Sequence, residues 1–321
     1  MALTEHPALE LTERKGQSPW IRTWQRFLRH RVAVGALAVL ILLYGVGICA
    51  PWVAPYSYTE KDLDRALQGP SLAHPLGTDR IGRDLLSRVI WGIRTSVIVS
   101  MAAVSTGSIA LGIVLGATSG YLGKKADTII MRTGEVFLAF PGLLLVILIA
   151  ATTKPRVVEW MTQLERVTGI QGLVRSGAVD YFVVFGALAL FSWVGMARLV
   201  RGQVLSLKGA QFVEAAVVLG ASPWRIIFRH LLPNAIGPII VSVSMAMGSA
   251  VGSEVMLSWL GVGIQPPSAS LGAMILDEGH ISVLRTNPNL LLSPVATVGI
   301  LIFAFNLLGD GLNDALNPRG Q

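Results

Sequence analysis

Three glutamates stand inside or beside long apolar stretches of this chain, and none has the neighbours that catalysis requires. Glu214 opens the run Glu214, Ala215, Ala216 within "QFVEAAVVLGASPWRIIFRHLLPN", residues 211–234, and no second carboxylate lies at helical spacing from it. His230, in the same stretch, has no Cys or second His at ligand spacing, and the five histidines of the chain are scattered, so no metal centre is expected. A phosphate-cradling loop would need G-x-x-x-x-G-K-[ST]. The nearest approach, Gly123 with Lys124, has Thr118 where the first glycine belongs and Lys125 where a hydroxyl belongs. No H-E-x-x-H or G-x-S-x-G pattern is present either. The chemistry left open is docking and the placement of charge. Glu254, in "SEVMLSWLGVG", is an ionisable group in an apolar segment, which is costly unless it faces protein or water. It is expected either to hold helices together through hydrogen bonds, the favoured reading, or to gate a path. Glu135 with Arg132, and Asp310 with Asp314, read as interfacial charges near the ends of spans.

The elements that must position these residues are membrane helices. Of 321 residues, 52% are hydrophobic and only 14% charged, against about 25% charged in soluble domains. A bilayer crossing takes about 20 apolar residues, and six segments approach that length. They are Val32 to Ala54, a second inside Thr95 to Gly123, and a third from about Thr128 to Thr152, with Pro141 expected to kink it. The fourth runs from Tyr181 to about Arg198, the fifth from Ala235 to about Val262, and the sixth lies within Asn289 to Gly309. An even number puts both termini on one side. The polar segment 1–31 is too long and mixed for a cleavable leader, so the first span is read as a retained anchor. The formal charge of +7 reflects topology rather than nucleic-acid binding. Arg198 to Arg229 holds five basic residues and residues 265–288 only Arg285, which places residues 206–234 and both termini in the cytoplasm. The single cysteine, Cys49, excludes an intrachain disulfide.

Local rules predict a helical hairpin over residues 211–233. Phe212, Ala216 and Leu219 make one apolar stripe on a short helix that Gly220 ends. Ser222 and Pro223 then supply an N-cap and a first-turn proline. Trp224, Ile227, Phe228 and Leu231 line one face of the second helix, Arg225 and Arg229 share another, and Pro233 is expected to interrupt it before the fifth span. Within the spans, Gly112, Gly116 and Gly120, and also Gly248 and Gly252, recur every four residues and predict close helix crossings.

The stretch "EAAVVLGASPWRIIFRHLLP" resembles the cytoplasmic EAA loop of ABC importer permeases. "HPLGTDRIGRDLLSRVIWGIRTS", "FLAFPGLLL", "LSWLGVGIQPPSASLG" and "AFNLLGDGLNDALNP" are similar to the C-type subunit of the dipeptide and oligopeptide branch, and the likeness runs from about Trp20 to the end. The chain departs from that pattern mainly in residues 153–180, read as an unusually long connection. The resemblance implies an all-α type I importer permease with six transmembrane helices. Its parts would be a cytoplasmic segment 1–31, an N-terminal helix and extracytoplasmic loop 32–93, a permease domain 94–310 carrying the coupling loop 206–234, and a cytoplasmic tail 311–321. It implies that Glu214, Ala215, Ala216, Gly220, Ala221, Ser222, Pro223 and Arg225 form a coupling helix seated in a cytoplasmic ATPase, and it matches Glu254 to an acidic position of the family motif; Glu254, Glu135 and Pro141 are the residues expected to act in gating or helix packing. The implied partners are a homologous second permease, two ATPase subunits that bind the ATP and Mg, an extracytoplasmic solute-binding protein and membrane lipid. This chain would bind no cofactor. The implied solute is a di- or oligopeptide, with nickel, glutathione or another small solute as alternatives in the same branch. A secondary transporter, the competing class, would show internal repeats and more than one intramembrane charge.

Overall fold

The computed structural model describes residues 19–105, 108–169, 172, 174 and 177–316. Residues 1–18 of the N-terminal segment, 317–321 of the tail, and 170, 171, 173, 175 and 176 of the long connection lie outside the described residues. Among the described residues there is no β-strand, only an isolated bridge between Thr78 and Asp84. The chain runs α1 (Pro19–Arg29), α2 (Arg31–Ile48), α3 (Ala50–Val53), α4 (Leu85–Ser105), α5 (Ser108–Leu122), α6 (Lys124–Leu138), α7 (Gly142–Thr168) and α8 (Ala178–Leu207). It continues with α9 (Gln211–Val218), α10 (Pro223–Ile226), a π turn (Ile227–Leu231), α11 (Leu232–Trp259), α12 (Leu271–Glu278), α13 (Ile281–Thr286) and α14 (Asn289–Leu316).

Among the described residues five stretches are long and apolar enough to cross a membrane: α2, α4 with α5, α8, α10 through α11, and α14. The count reaches six if the bent pair α6 and α7 is taken as one span, and here the expectation of a kink needs correction. The two helices meet at 81° across residues 139–141, a break rather than a bend. Pro141 stands at the N-cap of α7 with extended backbone (φ −58°, ψ 108°), so the helix restarts there instead of continuing through a missing hydrogen bond. Residues 153–168, read from sequence as part of a connection, are helical, because α7 runs unbroken through Lys154 and Pro155 to a left-handed Gly169. Lys154 pairs with Asp180 at the start of α8 (2.6 Å), which ties this extension to its neighbour.

α11 is the common wall of the bundle. On one side it packs with α4, α12 and α14, which α2 joins in turn, around Leu40, Val89, Val251, Met274, Leu301 and Phe305. On the other it joins α5, α8 and the hairpin around Ile109, Met196, Val200, Ile227 and Leu231. The glycine stripe of α5 meets α8 as expected. A Cβ on Gly116 would stand 2.9 Å from Ala197 Cα, and one on Gly112 would stand 2.6 Å from the Trp193 carbonyl oxygen, so these backbones touch only because side chains are missing. Gly248 is similarly close to Phe305 of α14, at 2.9 Å, while Gly252 has more room, at 3.4 Å from Ile302.

Residues 55–84 and 260–288 cover the end of the bundle opposite the hairpin. There Asp79, fully buried, accepts from Arg83 and Arg88 (2.6 Å each), and buried Glu278 takes Arg80 (3.1 Å). His74 Nδ1 lies 2.8 Å from Asp84, whose other oxygen accepts from the Ser87 amide and hydroxyl. Burial pushes the Glu278 carboxyl above its ordinary value, against the opposing charge of Arg80.

Candidate functional site

The hairpin between α8 and α11 is built by the local rules its sequence obeys. α9 ends in a two-bond capping motif: the Gly220 amide donates to the Val217 carbonyl (2.9 Å) and the Ala221 amide to the Ala216 carbonyl (3.0 Å). This 5→2 and 6→1 pattern requires a left-handed residue, and Gly220 supplies it with φ +77°. Ser222, in extended conformation, accepts from the Arg225 amide, and Pro223 follows at the first helical position.

The hairpin buries part of each stripe read from sequence, Ala216, Ile227 and Leu231, and turns the rest outward. In α9 the inward residues are Val213 and Ala216, while Phe212 and Leu219 are exposed. In the second helix the inward set is Ile226, Ile227 and Leu231, and Trp224 and Phe228 stack on each other at the surface with ring centroids 5.9 Å apart. The floor they sit on (Ile109 of α5, Met196, Val200 and Val204 of α8) decides the phase of each short helix. Val218 and Leu219 are each 86% exposed at the corner, so the hairpin presents an apolar tip backed by a well-packed base. Glu214, Ala215, Gly220, Ser222, Pro223 and Arg225 are exposed, Ala221 is half-buried, and Ala216 faces inward.

Pro233 does not end the second helix either. The segment Pro223–Trp259 is one continuous apolar rod of 37 residues. The π turn precedes Pro233, with the Leu232 amide reaching the Ile227 carbonyl. The helix thereby absorbs an extra residue just where proline removes a donor. The Asn234 side-chain amide donates to the His230 carbonyl (2.6 Å).

Glu254 is wholly buried near the far end of that rod. Its Oε1 accepts hydrogen bonds from the hydroxyls of Ser258 (2.7 Å) and Ser270 (2.8 Å). Ser258 Oγ in turn accepts from the Ile264 amide, and Ser270 Oγ from the amides of Gly272 and Ala273 as the N-cap of α12. One carboxylate oxygen therefore joins the last turn of α11, the loop after it and the start of α12; Oε2 has no partner among the described residues. Glu135 is exposed and pairs with Arg132 (3.3 Å). Glu254, Glu135, Pro141 and the hairpin share no side-chain partner, so the candidate residues fall into separate places rather than one constellation.

Between α4, α7, α8 and α11 lies a cavity of about 550 Å³ with a mainly apolar wall. Ser192, Ser242, Ser249 and Ser253 add hydroxyls to it, and the last two spend their protons on carbonyls of their own helix. The sequence did not single out this wall. Nor did it indicate the bidentate pair of Asp127 with Arg201 (2.5 and 2.7 Å), which joins α6 to α8 beside the hairpin. These groups are 74 positions apart, and no local pattern links them. Among the described residues no group of His, Cys, Asp or Glu could hold a metal.

Residues 108–320 match the family described as "Binding-protein-dependent transport system inner membrane component", and residues 18–70 match the "N-terminal TM domain of oligopeptide transport permease C". Similar proteins include the glutathione transport system permease protein GsiD of Pectobacterium atrosepticum, 37% identical over 96% of this chain and 94% of the relative. The oligopeptide transport system permease protein OppC of Haemophilus influenzae is 35% identical over 98% and 93%. OppC of Bacillus subtilis is 34% identical over 97% and 93%.

Proposed function

Because the chain belongs to the family of binding-protein-dependent transport system inner membrane components, as a permease subunit of an ABC importer, we propose that it moves short peptides across the inner membrane by alternating access. The relatives' names divide between oligopeptide and glutathione. Glutathione is itself a tripeptide, so a short peptide backbone is the chemistry common to both. A wall that mixes small and hydroxyl residues with large apolar ones such as Leu143, Phe185 and Met245 suits solutes whose side chains vary.

The observation that carries the coupling half of the reading is the hairpin's exposed apolar tip at Val218 and Leu219, held on a rigid base. In this reading the tip and Glu214 seat in a cytoplasmic ATPase, one of two that bind ATP and Mg. Closure of the ATPases is passed along the α10–α11 rod, and this chain rocks against a homologous second permease as a largely rigid body. A solute-binding protein delivers from the opposite face, where residues 55–84 and 260–288 lie, and both termini are cytoplasmic. Glu254 serves as a fixed anchor for α12 rather than as a moving gate, since both hydroxyls that face it are already engaged.

The test is reconstitution of the chain with its genomic-neighbour permease, ATPases and binding protein in vesicles, followed by uptake of radiolabelled dipeptide, tripeptide and glutathione. ATP-dependent accumulation of at least one supports the proposal. Accumulation of none, with a binding protein that retains a non-peptide ligand, refutes the peptide assignment.

A further inference from the structure

α1 precedes α2 with one residue, His30, between them, and it rests along one side against α2 and α14. His30 caps α2 by accepting from the Ala33 amide (3.2 Å), and its other ring nitrogen lies 3.5 Å from Asp314 near the end of α14. Among its described side chains Phe27 is buried, packed with Ala33, Ala315 and Leu312. At 100° per residue, Trp24, Leu28 and Ile21 lie about 60°, 100° and 120° round the helix from Phe27 in one sense. Arg26 and Arg29 lie about 100° and 160° round in the other sense. The first three are each about half exposed, and both arginines are exposed. The helix thus has three flanks: one against the protein, one apolar and uncovered, one basic and uncovered.

An uncovered apolar flank needs an occupant, and position supplies it. α2 crosses the membrane and starts one residue after α1 ends, so α1 sits at the bilayer surface by connectivity. A helix lying beside a bundle at that level meets protein on one side, lipid on the second and water with headgroups on the third, which is the order of its flanks. Indole and arginine on opposite flanks suit the acyl boundary and the headgroup layer respectively. We propose that α1 is an interfacial anchor lying in the leaflet where α2 begins, with Ile21, Trp24 and Leu28 in the acyl boundary and Arg26 and Arg29 on anionic headgroups. The inference rests on α2 being a span and not on which leaflet is cytoplasmic.

The full chain carrying Cys49→Ser, with Leu28→Cys or Arg26→Cys coupled to an environment-sensitive fluorophore, is reconstituted in phosphatidylcholine vesicles with and without phosphatidylglycerol. Lipids spin-labelled high on the acyl chain should quench the label at 28 and iodide should not, with the reverse at 26. If the label at 28 is as open to iodide as that at 26, the flank is in water. If it is shielded from both quenchers, a protein surface covers it. Either result overturns the proposal. Trp24→Cys reports on the same flank should Leu28→Cys fail to fold. Phosphatidylglycerol should strengthen the lipid contact at 28, and Arg26→Ala with Arg29→Ala should remove that gain, by about fivefold per arginine. Contact at 28 that is indifferent to anionic lipid overturns the headgroup assignment.

Discussion

Replacing Gly116 by alanine isolates what holds α5 against α8. The added Cβ would stand 2.9 Å from Ala197 Cα and nearer still to the Ala197 carbonyl oxygen, where carbon atoms in contact need about 3.5–4.0 Å. Backbone cannot swing aside like a side chain, so the helices must part by roughly 0.6–1 Å to restore contact distance. Overpacking of this kind costs about 1–3 kcal/mol, while Gly→Ala inside a helix returns about 0.5–1 kcal/mol. The net is a loss of roughly 0–2.5 kcal/mol against wild type, and of roughly 1–3 kcal/mol against a glycine whose Cβ meets nothing. Gly45→Ala and Gly299→Ala are the controls, since a Cβ at either meets nothing within 4 Å. They gain the helix preference without the clash. Gly252→Ala, with Ile302 Cδ1 at 3.4 Å, falls between. Melting of the purified chain in detergent, followed by loss of the monodisperse peak on size exclusion, should rank Gly116→Ala below wild type and the two controls at or above it. A Gly116→Ala protein that melts with the controls would refute the view that backbone contact, rather than side-chain packing elsewhere, sets the α5–α8 crossing.

At Gly220 a Cβ also meets nothing within 4 Å, so only the left-handed backbone penalises substitution. Alanine should cost about 1–2 kcal/mol locally and valine more, and binding-protein-stimulated ATP hydrolysis in the assembled importer should fall further for Gly220→Val than for Gly220→Ala. Glu214→Arg should abolish uptake at unchanged protein level, because the side chain is exposed and its loss leaves the fold alone; retained uptake would count against the docking assignment. In a Cys49→Ser background, cysteines at the exposed positions Ser206 and Ser282 should be labelled from opposite sides of the membrane, and labelling from one side would overturn the topology. Ser270→Ala removes the cap of α12 and one bond to Glu254, and should lower the melting point by the equivalent of about 0.5–2 kcal/mol. Equal stability would show that Glu254 does not hold α12.

What could be read from the sequence was what neighbouring residues decide among themselves. Gly220, Ser222 and Pro223 specify a corner whatever lies around it, and the structure has that corner. The α5 glycines announce a close crossing because only their absent side chains permit one. The faces of α9 and of the second hairpin helix were legible only in part for the opposite reason, with Ala216, Ile227 and Leu231 inward as their stripes indicated and Phe212, Leu219, Trp224 and Phe228 exposed. A helix of two turns carries too few residues for periodicity to fix its phase, and the floor formed by Ile109, Met196 and Val200 turned Val213 and Ile226 inward instead of Phe212 and Trp224. Pro141 and Pro233 both signalled trouble in a helix, but the outcomes diverged. The chain broke by 81° at the first and passed through a π turn before the second, a choice made by packing and not by proline. The pairs Asp127 with Arg201 and Lys154 with Asp180, like the bonds from Ser270 to Glu254, join residues that only the fold makes neighbours.

The π turn also fixes a rotational phase. It takes in one residue more than an α-helical turn without adding a turn, so everything on the hairpin side of Ile227 is rotated by about 100° relative to where an unbroken α-helix would place it. Residues 221–226, Trp224 among them, take their direction from that offset, and the helical segment of 37 residues, about 55 Å long, runs on from there to the Glu254 end. Deleting a single residue between Ile227 and Leu231 would leave the segment as apolar as before, but would turn the hairpin's outward face away from whatever it now meets.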